Sequence, residues 1–359
     1  MASDPMADGL LCYCRAGFEP ELAAELGERA ALAGVAGHAR AGRSEGYALF
    51  LGDGSALTRA LPWRELVFAR QKLRLLAELR GLDPRDRIAP ILAALRGRIE
   101  SGDPGFGELL VEHPDSDTGK PLAGLARSFG NALRPALRKA GLLAPQPDPE
   151  RMRLHVCFVD GDHAFVAQSD PRDSSPWPLG IPRLKLHADA PSRSALKLEE
   201  ALLVLLDERE RSTLLQPGMR AADLGAAPGG WTWILARHGL QVTAIDNGPL
   251  RQHVLDSGRV EHLRADGFGW QPPRPLDWMV CDMVEQPRRV AARMAQWFAE
   301  GWCRQAIFNL KLPMKKRWAE TRLCLDLFAE QAGKPLAVRA RQLFHDREEI
   351  TVYAALRGR

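Results

Sequence analysis

Asp223-Leu-Gly-Ala-Ala-Pro-Gly-Gly-Trp231 lies where a short apolar run ending in Leu224 meets a helical stretch from Thr232 to Arg237. Strand, glycine turn and helix in this order let a backbone approach a ligand closely. Gly225, Gly229 and Gly230 lack a Cβ, which permits both the tight turn and the contact. The N–H groups at the start of the following helix favour an anion. The spacing is not the G-x-G-x-x-G of dinucleotide enzymes. It is not a P-loop either, because no Gly-Lys-Ser/Thr follows.

Outward from this stretch, strands and helices alternate. Met219–Leu224, Gln241–Ile245, Val260–Ala265, Leu276–Asp282 and Gln305–Lys311 read as strands, with helical segments between most of them. This rhythm predicts an α/β fold with a parallel sheet covered on both faces. Val338–Phe344 and Ile350–Leu356 add an antiparallel pair, making seven strands. Ligands of such sheets bind outside the carboxyl ends of the strands. Charged residues stand there in a row: Asp223, Asp246, Asp266, Asp282 and Lys311. Asp246 follows Asp223 at the distance at which an acidic residue accepts from a nucleotide ribose. Asp266 suits an adenine amino group.

The pattern D-x-G-x-x-P-G-G resembles the S-adenosyl-L-methionine (SAM) loop of ribose 2′-O-methyltransferases, in which the methionine carboxylate would be the anion. That resemblance implies a Rossmann-like methyltransferase domain over 183–359. It marks Ser194, Asp223, Gly225, Ala227, Pro228, Gly229, Gly230, Trp231, Asp246, Asp266 and Asp282 as cofactor-binding residues. Enzymes of the heat-shock rRNA methyltransferase type carry a Lys-Asp-Lys-Glu tetrad. Ser192-Arg-Ser-Ala-Leu-Lys197 resembles the segment with the first lysine. Trp278-Met-Val-Cys-Asp282-Met resembles the aspartate strand, and Phe308-Asn-Leu-Lys311 the second lysine. Arg347-Glu-Glu349-Ile-Thr-Val supplies the glutamate. Glu348 is the rival for that role. Glu349 is preferred because it abuts the strand.

These residue types suit the chemistry. A ribose 2′-hydroxyl must lose its proton as it attacks a methyl group. A lysine accepts a proton only when neutral, so a lowered pKa is expected, from a nearby cation or from desolvation. By the resemblance, Lys311 is the base or orients the hydroxyl. Lys197 is the neighbouring cation, and Asp282 and Glu349 orient the lysines. No metal is required. The Asn/Asp-Pro-Pro-aromatic segment of base N-methylation is replaced by Asp282-Met-Val-Glu. No Pro-Cys occurs, which argues against cytosine C5 methylation. Cys281 reads as a core residue.

The first half has a different rhythm. Leu10–Tyr13, Gly46–Leu51 and Gly107–Glu112 read as strands. Glu19–Leu32 and Arg87–Ile99 read as helices. Trp63–Leu79 mixes apolar and basic residues. Leu122–Leu143 has helical spacing, which Pro135 should kink or divide. Arg151–Phe158 and His163–Gln168 form a strand pair across Asp160-Gly-Asp. These spacings predict small α+β units. Pro171, Pro176, Pro178, Pro182 and Gly180 crowd Asp170–Pro182, which reads as a linker or surface loops.

Cys12-Tyr-Cys-Arg-Ala-Gly-Phe-Glu-Pro, together with the catalytic motifs and Phe308-Asn-Leu-Lys-Leu-Pro-Met-Lys-Lys-Arg317, resembles the ribosomal RNA large subunit methyltransferase M family. The resemblance implies a ferredoxin-like part over about 1–80 and an RNA-binding THUMP part over about 81–170. It also implies a cytidine in the peptidyl-transferase region of 23S rRNA as target. That RNA would be methylated before subunit assembly is complete, by a cytoplasmic monomer. The residues themselves offer basic groups for phosphates: Arg127, Arg134 and Arg138, and Lys315, Lys316 and Arg317. The 359 residues carry a net charge of +4, compatible with RNA without demanding it. Six scattered cysteines without zinc spacing suit a reducing compartment. No signal peptide is visible, and no apolar run approaches the roughly 20 residues of a membrane span.

Overall fold

The computed structural model describes residues 8–97 and 105–357. The chain separates between Pro182 and Arg183 into two units, each with its own seven-stranded sheet. The first holds β1 (Gly9–Tyr13), β2 (Gly37–Arg40), β3 (Tyr47–Gly52), β4 (Gln71–Leu79), β5 (Glu108–Glu112), β6 (Arg153–Asp160) and β7 (His163–Ser169). Their order is β2-β3-β1-β4-β7-β6-β5, and only β5 and β6 pair in parallel. The helices are α1 (Glu19–Leu32), α2 (Gly54–Ala60), α3 (Ile88–Arg96) and α4 (Ala123–Lys139). Of the helix expected over Arg87–Ile99, residues 98–99 lie outside the described residues.

The parts expected over about 1–80 and 81–170 lie within one unit. They share one sheet, because β4 pairs with β1 on one side and β7 on the other. β4 escapes a reading by alternation because Lys72 interrupts it. Lys72 is nevertheless buried, its ammonium held by the carbonyls of Thr58 (3.1 Å) and Leu61 (2.8 Å) and by Asp173. The segment 170–182, read as a linker or surface loops, ends at the boundary between the units and is tied to the first. The Ser175 carbonyl accepts from Gln71 (3.0 Å) and Arg153 (3.0 Å), and the Leu179 N–H donates to Glu112 (2.6 Å). Finally, α4 runs undivided through Pro135. Phe129, Leu133 and Leu137 bury one face in the core, and that packing outweighs the single backbone bond that proline removes.

The second unit holds β8 (Arg220–Leu224), β9 (Gln241–Ile245), β10 (Val260–Leu263), β11 (Leu276–Cys281), β12 (Cys303–Lys311), β13 (Leu336–Arg341) and β14 (Glu349–Leu356). Their order is β10-β9-β8-β11-β12-β14-β13. The first five are parallel, and β14 runs antiparallel between β12 and β13. The helices are α5 (Ala195–Leu205), α6 (Glu208–Leu214), α7 (Gly230–Arg237), α8 (Gln252–Leu255), α9 (Pro287–Ala299) and α10 (Arg317–Ala332). Both faces of the sheet are covered. Trp278, Val280 and Ile307 pack with Leu198 and Leu202 of α5 and Ile234 and Leu235 of α7. Phe308 turns the other way, its ring 5.3 Å from that of Phe328 on α10. β10 ends two residues earlier than the spacing suggests, which leaves Asp266 on a loop. Among the described residues, no helix is long and apolar enough to cross a membrane.

Candidate active site

Strand register assembles the charges. Lys311 closes β12 and is paired directly with Glu349, the first residue of β14. β11 lies on the other side of β12, with Cys281 opposite Phe308, so Asp282 emerges beside Asn309. Lys197 arrives from the first turn of α5. Four groups far apart in the chain thus form an alternating square. Lys311 Nζ lies 2.9 Å from Asp282 Oδ1 and also contacts Glu349. Lys197 Nζ lies 3.3 Å from Asp282 Oδ2 and also contacts Glu349. Each lysine therefore bridges both carboxylates, and the formal charges cancel. Glu348 is excluded from the square. It is exposed and pairs with Arg317 at 2.6 Å.

The electrostatics overturn one expectation. Burial pushes the Lys311 pKa down, but Asp282 and Glu349 outweigh it and hold the group above its ordinary value. In this arrangement the ammonium is favoured, not the free amine. Two carboxylates at contact distance stabilise the charge more than partial desolvation destabilises it.

The glycine loop stands beside the square. Gly225 has φ +78°, and a Cβ there would fall 2.5 Å from Met283 Cγ. Gly229 has φ +109° and caps the start of α7. A Cβ on Gly230 would fall 2.3 Å from Ser194 Oγ. Ser194 Oγ itself lies 2.6 Å from Ser192 Oγ. Trp231 is a core residue whose indole N–H donates to the Ser194 carbonyl at 3.0 Å. It leaves only its backbone, at the helix start, to a ligand. The Ala227–Pro228 peptide is cis.

The acids at the strand ends differ in setting. Asp223 is buried, and its Oδ2 accepts from the Thr232 hydroxyl at 2.6 Å. Its Oδ1 is buried without a hydrogen-bond partner among the described residues. Burial pushes this carboxyl up to about 7, with Thr232 opposing and Asp282 and Asp246 adding to the shift. Asp246 accepts from the N–H of Ala227 (2.9 Å) and of Gly248 (2.7 Å), so it braces the loop. Asp266 is exposed and accepts from the Phe268 N–H at 3.0 Å.

Sequence reasoning passed over Asn309, Thr351, Asp346 and Thr232. Asn309 Nδ2 donates to Asp282 Oδ1 at 2.8 Å. A signal existed. Asn309 is a polar residue two positions before Lys311 on a strand, so the two share a face.

The fit to SAM rests on these residues. A buried, unpartnered carboxylate oxygen on Asp223 suits an ammonium. The missing Cβ of Gly225 lets Met283 pack against the loop.

Three family models match the chain: the RlmM ferredoxin-like domain over residues 7–73, the N-terminal region of ribosomal RNA large subunit methyltransferase M over 86–170, and the FtsJ-like methyltransferase over 190–312. The ribosomal RNA large subunit methyltransferase M of Xanthomonas axonopodis pv. citri (strain 306) is 71% identical over 347 residues. That covers 96% of this chain and 99% of the relative. The protein of the same name from Xanthomonas campestris pv. campestris (strain B100) is 72% identical over 351 residues, covering 98% of this chain and 99% of the relative. With the glycine loop and the charge square in an FtsJ-like domain, and relatives this similar along nearly their whole length, the chain belongs to the ribosomal RNA large subunit methyltransferase M family.

Proposed function

We propose that this methyltransferase moves the methyl group of SAM to the 2′-hydroxyl of a cytidine in the peptidyl-transferase region of 23S rRNA. The observation that carries the reading is the square of Lys197, Asp282, Lys311 and Glu349 beside the glycine loop. When bound, SAM supplies an electrophilic methyl group on a sulfonium. Asp223 Oδ1 would accept from the methionine ammonium, and the start of α7 would hold the methionine carboxylate. Asp246 would accept from the cofactor ribose, and Asp266 from the adenine amino group. Asp282 faces Lys311 and would also offset the sulfonium charge.

Lys311 holds the ribose hydroxyl and takes its proton as the oxygen attacks. The free amine required for this is a minor form in the ligand-free enzyme, because both carboxylates favour the ammonium. A second cation close to Asp282 weakens that carboxylate's hold on Lys311 and raises the free-amine fraction. Activity therefore rises with pH from the neutral into the alkaline range. Lys197 and Glu349 keep the square neutral and Lys311 aimed.

The first unit binds the RNA, as a THUMP-containing region would. Exposed Lys315 and Lys316 hold phosphates near the reacting ribose, and the exposed Arg127 on α4 contributes in the first unit. Arg134 and Arg138 also reach the carbonyls of Leu109 (3.3 Å) and Ala144 (3.4 Å), so part of their role is structural. The protein acts as a cytoplasmic monomer on RNA not yet closed into a finished subunit.

The test is transfer from labelled SAM to protein-free 23S rRNA, with Lys311→Ala run alongside and the product digested to nucleosides. The expected product is 2′-O-methylcytidine, lost in the variant. A methylated base would overturn the ribose assignment. Transfer only to an assembly particle would overturn the choice of free RNA as substrate.

A further inference from the structure

A chain of buried polar groups runs behind the square, and its hydrogen bonds can point only one way. Asp282 Oδ1 accepts 2.8 Å from Asn309. A carboxylate facing Lys311 can only accept, so Asn309 must present its NH2 to it and its carbonyl oxygen to the other side. That oxygen lies 2.8 Å from Thr351 Oγ1. An amide oxygen also only accepts, so the single Thr351 hydroxyl proton is spent there. Thr351 Oγ1 nevertheless lies 3.2 Å and 3.0 Å from the two oxygens of Asp346. With its proton committed, Thr351 can only accept from Asp346. Asp346 must then carry a proton. Its Oδ2 also accepts the Leu343 N–H at 2.9 Å, which fixes the plane of the carboxyl group.

We infer that Asp346, Thr351 and Asn309 form a one-way hydrogen-bond relay that positions the Asp282 carboxylate against Lys311. The inference rests on the ribose-methylation reading, since it concerns the residue that holds the base. All three relay residues are fully buried. Thr351 and Asn309 sit opposite one another on β14 and β12, so sheet register fixes their approach. Burial also pushes the Asp346 carboxyl well up. Glu349 and Glu200 add to this, while the Leu343 N–H and Lys197 oppose it. Among the charged groups acting on Asp346 are Glu349 of β14 and Glu200 and Lys197 of α5. The groups facing Lys311 are Asp282 and Glu349. Asn309 thus takes up part of the negative charge on Asp282 through a donor aimed by the relay. Without that donor, Asp282 holds the Lys311 ammonium more tightly and the free amine is rarer.

The relay residues are positioning residues, and the test must read more than stability. Thr351→Val keeps the shape and removes the hydroxyl. The expected result is a roughly tenfold fall in kcat, the lower end of what losing a partner behind a metal ligand costs. The alkaline rise of kcat should move to higher pH, and SAM affinity should hold. Thr351→Ser should restore the pH profile. Asp346→Asn can donate and accept at the same places, so its fall in kcat should be smaller than that of Thr351→Val. A pH profile for Thr351→Val that superposes on the wild type after scaling would overturn the relay.

Should Thr351→Val fail to fold, infrared difference spectroscopy of wild type against Asp346→Asn decides. The wild type should show the carbonyl stretch of a protonated carboxylic acid at neutral pH, absent in the variant. No such difference overturns the inference. Nucleoside analysis of the wild-type product tests the ribose reading separately, because the infrared result does not depend on which atom is methylated.

Discussion

Each sheet buries a group of ionisable side chains, and the two groups are built on opposite rules. In the first unit Glu112 accepts from Tyr13 (3.1 Å), His155 (2.9 Å) and the Leu179 N–H (2.6 Å). The other nitrogen of His155 meets Ser169 at 2.9 Å. Burial pushes the Glu112 carboxyl up, but His155, Leu179 and Tyr13 together pull it below its ordinary value. No polar side-chain atom of this network is left without a partner. In the second unit Asp223 keeps an unpartnered oxygen, and its carboxyl is pushed up to about 7 by burial, with Asp282 and Asp246 adding to the shift. A closed network stabilises architecture. An open one, with acids crowded at the carboxyl ends of parallel strands, marks a candidate ligand site.

The largest expected effect lies in the open cluster. Lys311→Ala should lower kcat by about 10³, within the range that a positioned base supplies, and leave the melting temperature near that of the wild type. A comparable loss of stability would break the contrast. In the closed network the order reverses. Glu112→Leu strands three buried donors and should cost about 3 kcal/mol of stability by denaturant titration, with kcat of the folded fraction little changed.

Asp223 sharpens the comparison through pH. Its folded pKa is raised to about 7 from 3.8. The stability it contributes is therefore full below its ordinary value and lost as pH rises through about 7. Over the same window the carboxylate forms, so calorimetry should show SAM affinity climbing roughly tenfold with pH. Asp223→Asn should flatten both slopes, and slopes that survive in it would remove Asp223 from the cofactor site. The smallest effect belongs to Glu348→Gln. Glu348 meets only Arg317 at an exposed position, so methyl transfer should change by less than about threefold. Glu349→Gln, made in parallel, should fall far more.

Much was legible beforehand where local rules suffice. α1, the hairpin of β6 and β7, and the alternation from β8 to β12 follow from periodicity. The loop from Asp223 to Trp231 could be read because glycine at positive φ leaves a mark in composition. β4 was not legible, since the burial of Lys72 depends on the Thr58 and Leu61 carbonyls arriving from elsewhere. Nor was the packing of 170–182, whose prolines resemble a linker until Glu112 and Gln71 bind its backbone.

The sequence by itself determined the fold class, the glycine loop and the four charged residues of the proposed site, because each sits in a motif with its own local geometry. Only the tertiary structure decided how those charges act. Register between β12 and β14 chose Glu349 over Glu348 and placed Thr351 against Asn309. The same packing brought two carboxylates to Lys311 and raised its pKa where chemistry alone suggested a lowered one. Charges interact through space at a few ångströms, and distances of that kind between residues far apart in the chain exist only once the sheet has formed.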